Sequence, residues 1–474
     1  MPILLNIDRL FSEIVHTIEQ VLFFSVAGFP LIILWLILGS IFFTFRFGFI
    51  GIRGFKHAVD IARGKYETTE GVGEVSAFQA LTTALSGTVG LGNIAGVAIA
   101  IKIGGVGAVF WMSLAAFLGM ASKFIECTLG QQYRQINDDG TISGGPMYYL
   151  SSGLAELGFA SLGKFIGIVF AIFCTGASFG GGNMFQVNQS FAAVTALFPS
   201  WESYNWLFGI SVAMMVGLVT IGGINRIGVV TSKLVPLMIG IYLAACLWVI
   251  GTDILEVPKA FYTIWQQAFS VDAATGSLIG ILILGVRRSA FSNGAGMGTA
   301  AIAHSAAKTD EPVREGIVAI LEPFIDTIVI CNLTALVIVL TGTYGDNIPV
   351  DINGSELTAL AFSQVIDWFP FVLAIVIFLF GFSTIITWSY YGEKSWTYLF
   401  GSKYVFVYKS LFLGCVFLGA ISDVKTVVDF SDMMLLAMAV PNIFGCLLLS
   451  NQVAKDLRNY WLKLNLKPVL TEKI

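Results

Sequence analysis

The chain has 474 residues, of which 56% are hydrophobic and 12% charged, and its formal net charge is −4. Soluble proteins carry about 25% charged residues. This composition, with a mean hydropathy of +0.82, excludes a large water-soluble domain and indicates a protein with many membrane spans. Nothing in the charge pattern indicates nucleic-acid binding. The six cysteines stand singly, without a Cys-x-x-Cys pair or a spaced cluster with the three histidines, so the sequence predicts neither a metal cluster nor an enzyme.

About 20 apolar residues cross the hydrocarbon core of a bilayer. On that rule the sequence predicts an all-α protein with eleven spans. They lie at about 21–45, 77–102, 106–133, 161–190, 205–222, 228–250, 275–306, 314–342, 369–391, 404–421 and 428–450. Segments 51–63 and 257–270 are amphipathic and are predicted to lie at the membrane interface. For 355–367 we expect a short external helix.

The sidedness of the chain follows from its lysines and arginines. If the N-terminus is outside, nineteen of the 26 basic residues lie on the inner side and four on the outer side. Cytoplasmic loops carry the excess of positive charge in membrane proteins. The sequence therefore predicts an outside N-terminus and a cytoplasmic tail at 451–474. The other three basic residues, Lys123, Arg287 and Arg288, fall within predicted spans.

The spans after the first one predict an internal repeat. Region 1–76 holds the first span and an interfacial segment. When the five spans in 77–250 are moved by 206 residues, each overlaps one of the five in 275–450. Because five is odd, the second copy crosses the membrane in the opposite sense, which predicts a five-plus-five inverted repeat. The alternative is a chance spacing of similar spans.

Two polar, glycine-rich steps stand at matching places in the two halves. Residues 86–96 read SGTVGLGNIAG and residues 292–302 read SNGAGMGTAAI. Glycine costs a helix interior about 1 kcal/mol relative to alanine, so we expect both helices to be interrupted. The freed N–H groups suit a carboxylate and the freed carbonyls suit a hard cation such as Na⁺. A zwitterion with a cation fits this geometry, whereas the alternative is that the glycines only allow close helix packing.

Polar side chains in other spans have two interpretations each. Asn183 and Gln186 lie about one turn apart, so we expect them to face the same way, and they either line a site or bridge helices. Ser383 and Thr384 either bind a cation or bond back to the preceding turn, and Trp388 either walls a pocket or packs.

Ionisable residues inside spans are expected to be functional. Lys123 and Glu126 are spaced to form an ion pair. Glu322 and Asp326 either handle a proton or pair with Arg287 or Arg288.

Through at least residues 77–400 the sequence resembles the alanine-or-glycine:cation symporter family. The motifs that carry the resemblance are ALTTAL at 80–85, TVGLGNIAGVA at 88–98, FWM at 110–112, GGPMYY at 144–149, FSN at 291–293, FIDT at 324–327 and WSYYGE at 388–393. The resemblance implies uptake of small neutral amino acids, typically alanine or glycine, driven by Na⁺ or sometimes H⁺. It also implies a bacterial-type inner membrane and the inverted-repeat fold of neurotransmitter:sodium symporters.

The resemblance also implies residue roles. The N–H groups of Leu91 and Gly92 would hold the substrate carboxylate. The other substrate-site residues would be Thr88, Gly90, Asn93, Asn183, Gln186, Asn293, Gly296 and Trp388. Asn93 would also touch a first Na⁺, and a second would lie among the carbonyls of Ser86 and Val89 and the hydroxyls of Ser383 and Thr384. No other cofactor is implied. The family usually has a glutamate where this chain has Gly294. The missing carboxylate would serve either cation coupling or the bracing of helices near the site.

Two other function classes compete with a symporter. A channel or passive facilitator usually needs an oligomeric pore or a ring of like side chains, whereas this chain has interrupted helices and an internal repeat, which favour alternating access. A membrane enzyme would need a nucleophile–base pair or metal cluster in the spans, and the sequence predicts neither.

Overall fold

The computed structural model describes residues 24–26, 29–66, 72–270, 278–345, 352 and 354–471, and this part of the chain is mostly helical. Within it, strand Ser25–Val26 pairs with Phe29–Pro30, and strand Gln135–Ile136 pairs with Ile142–Ser143, both antiparallel. The all-α class predicted from the composition is confirmed.

The main helices are numbered in chain order. They are α1 (Leu31–Arg46), α2 (Ala77–Thr88), α3 (Ala95–Gly104), α4 (Ala108–Gln132), α5 (Ala160–Phe179), α6 (Phe185–Leu197), α7 (Asn205–Thr220), α8 (Gly223–Thr252), α9 (Val257–Ala268), α10 (Leu278–Asn293), α11 (Thr299–His304), α12 (Pro312–Ala319), α13 (Asn332–Leu340), α14 (Ser355–Ser363), α15 (Phe369–Phe400), α16 (Val405–Ile421), α17 (Val424–Ala437) and α18 (Ala439–Thr471).

Shorter helical segments connect these helices. They are Ile50–Arg53, Phe55–Ala62, Pro146–Tyr148, Leu154–Glu156 and Leu321–Pro323, the 3₁₀ turns Pro199–Tyr204, Ile254–Glu256 and Ser402–Tyr404, and the π-helical segments Tyr149–Gly153, Gly180–Met184 and Phe324–Cys331. A π-helical segment joins α5 to α6, and another lies between α12 and α13, so each pair forms one continuous segment, Ala160–Leu197 and Pro312–Leu340.

Eight helical segments of the described chain are long and apolar enough to cross a membrane. The predicted spans 77–102 and 275–306 do not appear among them because each is divided into two shorter helices. Residues 21–23 and 275–277 lie outside the described part. The helix in the first predicted span begins only after Pro30, which ends the strand before it. The count of eleven spans, the four predicted regions and the inverted repeat stay predictions.

Several helices end later than their predicted spans. α15 continues to Phe400 and α18 to Thr471. The apolar pattern predicts only the part of a helix that lies in hydrocarbon, and a helix can continue past it with polar residues. Predicted external segment 355–367 contains α14, whose Leu357, Thr358 and Phe362 are buried. Thr358 Oγ1 donates to the carbonyl of Ile94, which starts α3.

The core that positions the two glycine-rich steps is built from α2, α4, α10, α11 and α15. α2 begins at a capping box in which Ser76 and Gln79 exchange hydrogen bonds, and it packs against α8, α11 and α15. Such a box satisfies N–H groups that the first helical turn leaves free. α4 packs along α10, α11 and α12, so the two interrupted segments lie in the middle of the bundle.

Candidate functional site

The first glycine-rich step interrupts the helix as predicted. α2 ends at Thr88 and α3 begins at Ala95, and the backbone between them is not helical. The Gly90 N–H donates to Asn93 Oδ1 over 3.0 Å, and the Leu91 N–H donates to Gln186 Oε1 over 3.2 Å. Leu91 and Asn93 are completely buried. In this conformation, side-chain amide oxygens therefore occupy two of the backbone donors.

Asn93 ties the first interruption to the π-helical segment Phe324–Cys331. Its Nδ2 donates to the backbone carbonyl of Asp326 over 2.9 Å and to Oδ1 of the same residue over 2.6 Å. Its own carbonyl accepts from Thr334 Oγ1 over 2.9 Å. Every polar atom of the Asn93 side chain is thus used to hold the break in place.

The second glycine-rich step also interrupts a helix. α10 ends at Asn293 and α11 begins at Thr299. Between them Gly294, Gly296 and Gly298 have φ angles of +62°, +86° and +79°, a left-handed region that only glycine enters without strain. Asn293 Oδ1 accepts from the Ala295 N–H over 2.9 Å, so a side chain again completes the broken turn.

In the interior, the first interruption meets the last turn of α10, which leads into the second interruption. A Cβ atom built on Gly92 would lie 3.3 Å from both Phe291 Cδ1 and Ser292 Cα. Asp326 joins both interruptions, because its Oδ1 accepts from Asn93 and its Oδ2 accepts from Ser292 Oγ over 2.6 Å. The sequence indicated for Asp326 only proton handling or pairing with an arginine, so this bridging role was not predicted. Its only signal was a carboxylate inside an apolar span.

The end of α2 contacts α15 through predicted cation-site residues. Ser86 Oγ donates to the Ser383 carbonyl over 2.7 Å, and Thr384 Oγ1 donates to the Ser86 carbonyl over 2.9 Å. Val89, at the C-terminal end of α2, is fully buried. A Cβ on Gly90 would lie 2.5 Å from Thr384 Oγ1. Oxygen atoms from both helices therefore converge beside the first interruption.

The other predicted substrate residues divide between this region and its surroundings. Trp388 Nε1 donates to the Gly87 carbonyl over 2.8 Å, and its ring covers Gly182. Gln186 reaches Leu91, but Asn183 Nδ2 donates to the Phe412 carbonyl on α16. The expectation that both amides face the same way is not met, because the π-helical segment Gly180–Met184 shifts the helix face between them.

Thr88, Asn293 and Gly296 lie close to the interruptions. Thr88 Oγ1 bonds back to the carbonyls of its own helix, over 3.3 Å. Asn293 Nδ2 donates to Ser289 Oγ and Thr327 Oγ1. Gly296 faces α1, since a Cβ there would lie 2.7 Å from Leu36 Cδ2.

The buried charges pair differently from the sequence expectations. Lys123 Nζ lies 3.0 Å from Glu322 Oε2 rather than pairing with Glu126, whose Oε1 accepts from Asn442 Nδ2 over 2.7 Å. Arg287 and Arg288 both pair with Asp432 on α17, so the alternative that they neutralise Glu322 or Asp326 is wrong. Spacing along one helix could not show these partners, because they come from neighbouring helices.

Comparisons with known proteins decide the family. The sequence matches the sodium:alanine symporter family over residues 8–470. It is 41% identical to the sodium/alanine symporter AgcS of Methanococcus maripaludis, over 90% of this chain and 93% of that protein. This chain belongs to the sodium:alanine symporter family. The resemblance predicted from the motifs is confirmed.

Members of the family differ in the amino acid that their names specify. The probable sodium/glutamine symporter GlnT of Bacillus subtilis is 34% identical over 91% of this chain and 87% of its own length. Among solved structures, MhsT in complex with L-phenylalanine is similar at a TM-score of 0.47 and 12% identity, over 81% of this chain and 99% of that one. This family member is accordingly a cation-coupled amino-acid symporter with several membrane spans, and not an enzyme.

Proposed function

We propose that this symporter carries alanine or glycine together with Na⁺ by alternating access across the cell inner membrane. The observation that carries the proposal is the contact between the first interruption and the last turn of α10, which leads into the second interruption: a Cβ built on Gly92 would lie 3.3 Å from Phe291 Cδ1 and Ser292 Cα. Broken helices that meet in mid-membrane offer N–H groups to an anionic substrate group and carbonyls to a cation.

The backbone N–H groups of Leu91 and Gly92 are proposed to bind the substrate carboxylate. In the described conformation the Leu91 N–H is taken by Gln186 Oε1, so the carboxylate must replace this amide oxygen. Gly92 has little space in front of it. A substrate with a hydrogen or methyl side chain suits such a site, whereas a larger one would overpack it at a cost of about 1–3 kcal/mol or more.

The proposed Na⁺ ligands are the carbonyls of Ser86 and Val89 with the hydroxyls of Ser383 and Thr384. The hydrogen bond from Thr384 Oγ1 to the Ser86 carbonyl supports the assignment, because it holds two of the proposed ligands at one place. Ser383 Oγ donates to the Phe380 carbonyl of its own helix in the described conformation, so it must rotate to bind the cation. Na⁺ is a hard cation and prefers oxygen ligands. Asn93 is proposed to lie beside a first Na⁺ and the substrate.

The other assignments extend the same proposal. Thr88, Gly90, Asn293 and Gly296 are proposed to belong to the substrate site, and Asn183, Gln186 and Trp388 to complete and limit the pocket. The charge bias supports an outside N-terminus and a cytoplasmic C-terminus, and the predicted five-plus-five repeat would supply the two halves that rock against each other. Membrane lipid surrounds the spans.

Counterflow of labelled alanine in proteoliposomes tests the proposed substrate. With Na⁺ equal on both sides, vesicles preloaded with unlabelled alanine should take up label. Added glycine should compete with alanine, and leucine or phenylalanine should not. Inhibition by leucine or phenylalanine as strong as that by alanine would contradict the small pocket. Counterflow that is unchanged without Na⁺ would favour the alternative function, a passive facilitator.

A further inference from the structure

A buried network of charged side chains, called the charge network below, lies beside the second interruption. His304 Nδ1 lies 2.8 Å from Glu315 Oε2, and its Nε2 lies 2.8 Å from Glu322 Oε1. Glu322 uses its other oxygen to hold Lys123 at 3.0 Å. All four side chains are completely buried. This charge network joins α4, α11, α12 and the short helix Leu321–Pro323, and the transport site described above uses none of its members.

The geometry around His304 requires a proton. A neutral imidazole has one N–H and one lone pair, so it can donate to only one of two ionised carboxylates. At its other nitrogen, two lone pairs would face each other. Both 2.8 Å contacts are hydrogen bonds only when one additional proton is present. Glu315, His304 and Glu322 must together hold one proton more than two ionised carboxylates and a neutral imidazole would hold.

The same proton balances the charge of the cluster. When His304 is an imidazolium, the positive charges of His304 and Lys123 balance the negative charges of Glu315 and Glu322. Without the proton, one negative charge stays uncompensated in the interior, and breaking a buried pair costs about 3–5 kcal/mol. Loss of the proton therefore favours a rearrangement in which His304 releases Glu315 or Glu322.

Few other ionisable groups lie near the charge network. α2, which packs on α11, carries no ionisable side chain, and His57 of the helix Phe55–Ala62 instead contacts Tyr460. Five groups on neighbouring elements interact electrostatically with Glu315 or Glu322. They are Lys123, Glu126 and Cys127 on α4, Arg134 just beyond α4, and Tyr391 on α15. The ligand atoms of Cys127, His304 and Glu322 come within 4.8 Å of one another, a grouping that the sequence spacing did not reveal. Both His304 nitrogens already face carboxylates, which leaves none for a metal ion.

The charge network also reaches the second interruption. A Cβ atom on Gly294 would lie 3.7 Å from Lys123 Nζ and 3.2 Å from Thr299 Oγ1. If Glu322 moves when His304 loses its proton, Lys123 loses its partner beside this loop. The proton occupancy of His304 is in this way linked to the segment that meets Gly92.

We propose that Glu315, His304 and Glu322 form a proton-binding site whose proton is exchanged during the transport cycle. The inference rests on the proposed Na⁺-coupled amino-acid transport and adds a proton to the species that the cycle binds. Linkage is reciprocal, so protons must change the affinity for Na⁺ or amino acid as much as these change the affinity for the proton.

The variant Glu315→Gln tests the site without breaking its contacts. The glutamine amide can donate to Nδ1 while Nε2–H donates to Glu322, so a neutral imidazole satisfies both contacts and the additional proton is no longer required. Glu311→Gln is the matched control. Glu311 lies four residues earlier and pairs with Lys463 at the surface over 2.8 Å.

The measurement counts protons released or taken up by the purified full-length protein in weakly buffered detergent solution with a pH-sensitive dye. Na⁺ is added first, so that this readout does not depend on the choice of amino acid, and alanine second. The parent and Glu311→Gln should show the same proton exchange, up to about one per protein, with the half-saturating Na⁺ concentration changing by up to about tenfold per pH unit. Glu315→Gln should reduce the exchange at least about fivefold.

Two results would overturn the inference: no proton exchange by the parent at any pH between about 5.5 and 9, where coupled carboxyl and imidazole groups titrate, or undiminished exchange by Glu315→Gln. If Glu315→Gln does not fold, the proton exchange of the parent protein alone tests the inference. An exchange that Na⁺ produces supports the site, and its absence refutes it. Alanine counterflow in the same preparation tests the proposed transport function separately.

Discussion

The Leu91 backbone N–H donates to Gln186 Oε1 across 3.2 Å, from the first interruption to α6. The donor proposed for the substrate carboxylate is thus already paired with a neutral amide oxygen. Such a bond keeps a buried N–H satisfied when no substrate is bound, because an unpaired buried donor costs about 1–3 kcal/mol. Substrate binding exchanges one oxygen acceptor for another.

Gln186→Glu should weaken amino-acid binding. A carboxylate at this position accepts from Leu91 more strongly than the amide does, since charged hydrogen bonds are about twice as strong, and it repels the substrate carboxylate. We expect the half-saturating alanine concentration for uptake to rise at least about tenfold, a loss of about 1.4 kcal/mol. Gln186→Met, which adds no charge, is the control and should change it less. Equal values for parent and Gln186→Glu would contradict the assignment of Leu91.

Gly92→Val should abolish transport while the protein stays in the membrane. Its Cβ would already touch Phe291 and Ser292 at 3.3 Å, and two further methyl groups would separate the interruptions or fill the carboxylate position. Gly96→Ala, one turn later, is the control, because a Cβ there meets nothing within 4 Å. Labelled-alanine uptake, normalised to protein in the membrane, distinguishes the two. Normal uptake by Gly92→Val would mean that this glycine serves only packing.

Thr384→Ala should raise the Na⁺ concentration needed for half-maximal uptake. The substitution removes the hydroxyl that bonds the Ser86 carbonyl over 2.9 Å. The matched control is Ser389→Ala on the same helix, since Ser389 Oγ bonds only its own helix at Ile386. Sodium titrations of uptake should give a several-fold increase for Thr384→Ala, with alanine affinity falling through linkage. Overlapping Na⁺ curves for parent, Thr384→Ala and Ser389→Ala would remove Thr384 from the cation site.

Gly294→Glu restores the carboxylate that the family usually carries. Because the added Cβ would lie 3.7 Å from Lys123 Nζ, we expect the new carboxylate to compete with Glu322 for Lys123 and to act as a brace. The melting temperature should change, because the pair that the new carboxylate disturbs is buried, whereas the half-saturating Na⁺ concentration should not fall, because a brace adds no ligand to the cation site. Gly294→Ala separates the strain of a side chain at φ +62° from the effect of charge. A several-fold lower Na⁺ requirement would show instead that position 294 serves the cation.

The sequence predicted the features that depend on local composition. The helix breaks at Gly90 and Gly294 follow from glycine's cost in helices, and the all-α class from the length of the apolar runs. Thr384 and Ser86 are also in contact, as the family resemblance implied. What could not be predicted depends on which helices are neighbours. Lys123 pairs with Glu322 across 199 residues of sequence, and no spacing rule connects them.

The π-helical segments are the other feature that could not be predicted from the sequence. The segment Gly180–Met184 turns Asn183 toward α16 while Gln186 reaches Leu91. A regular helix would have directed both amides to one side. Asp326 likewise lies in a π-helical segment, Phe324–Cys331, where it bridges Asn93 and Ser292. Such segments arise where packing requires an extra residue in a turn, and they often occur at functional sites.

Accumulation of labelled alanine in proteoliposomes under an inward Na⁺ gradient tests the central claim most directly. We predict transient accumulation above the external concentration, lost when K⁺ replaces Na⁺ or when the gradient is collapsed, and restored when the gradient is re-established. Uptake that only approaches the external concentration, at the same rate with and without the Na⁺ gradient, would contradict Na⁺-coupled alanine symport by this chain.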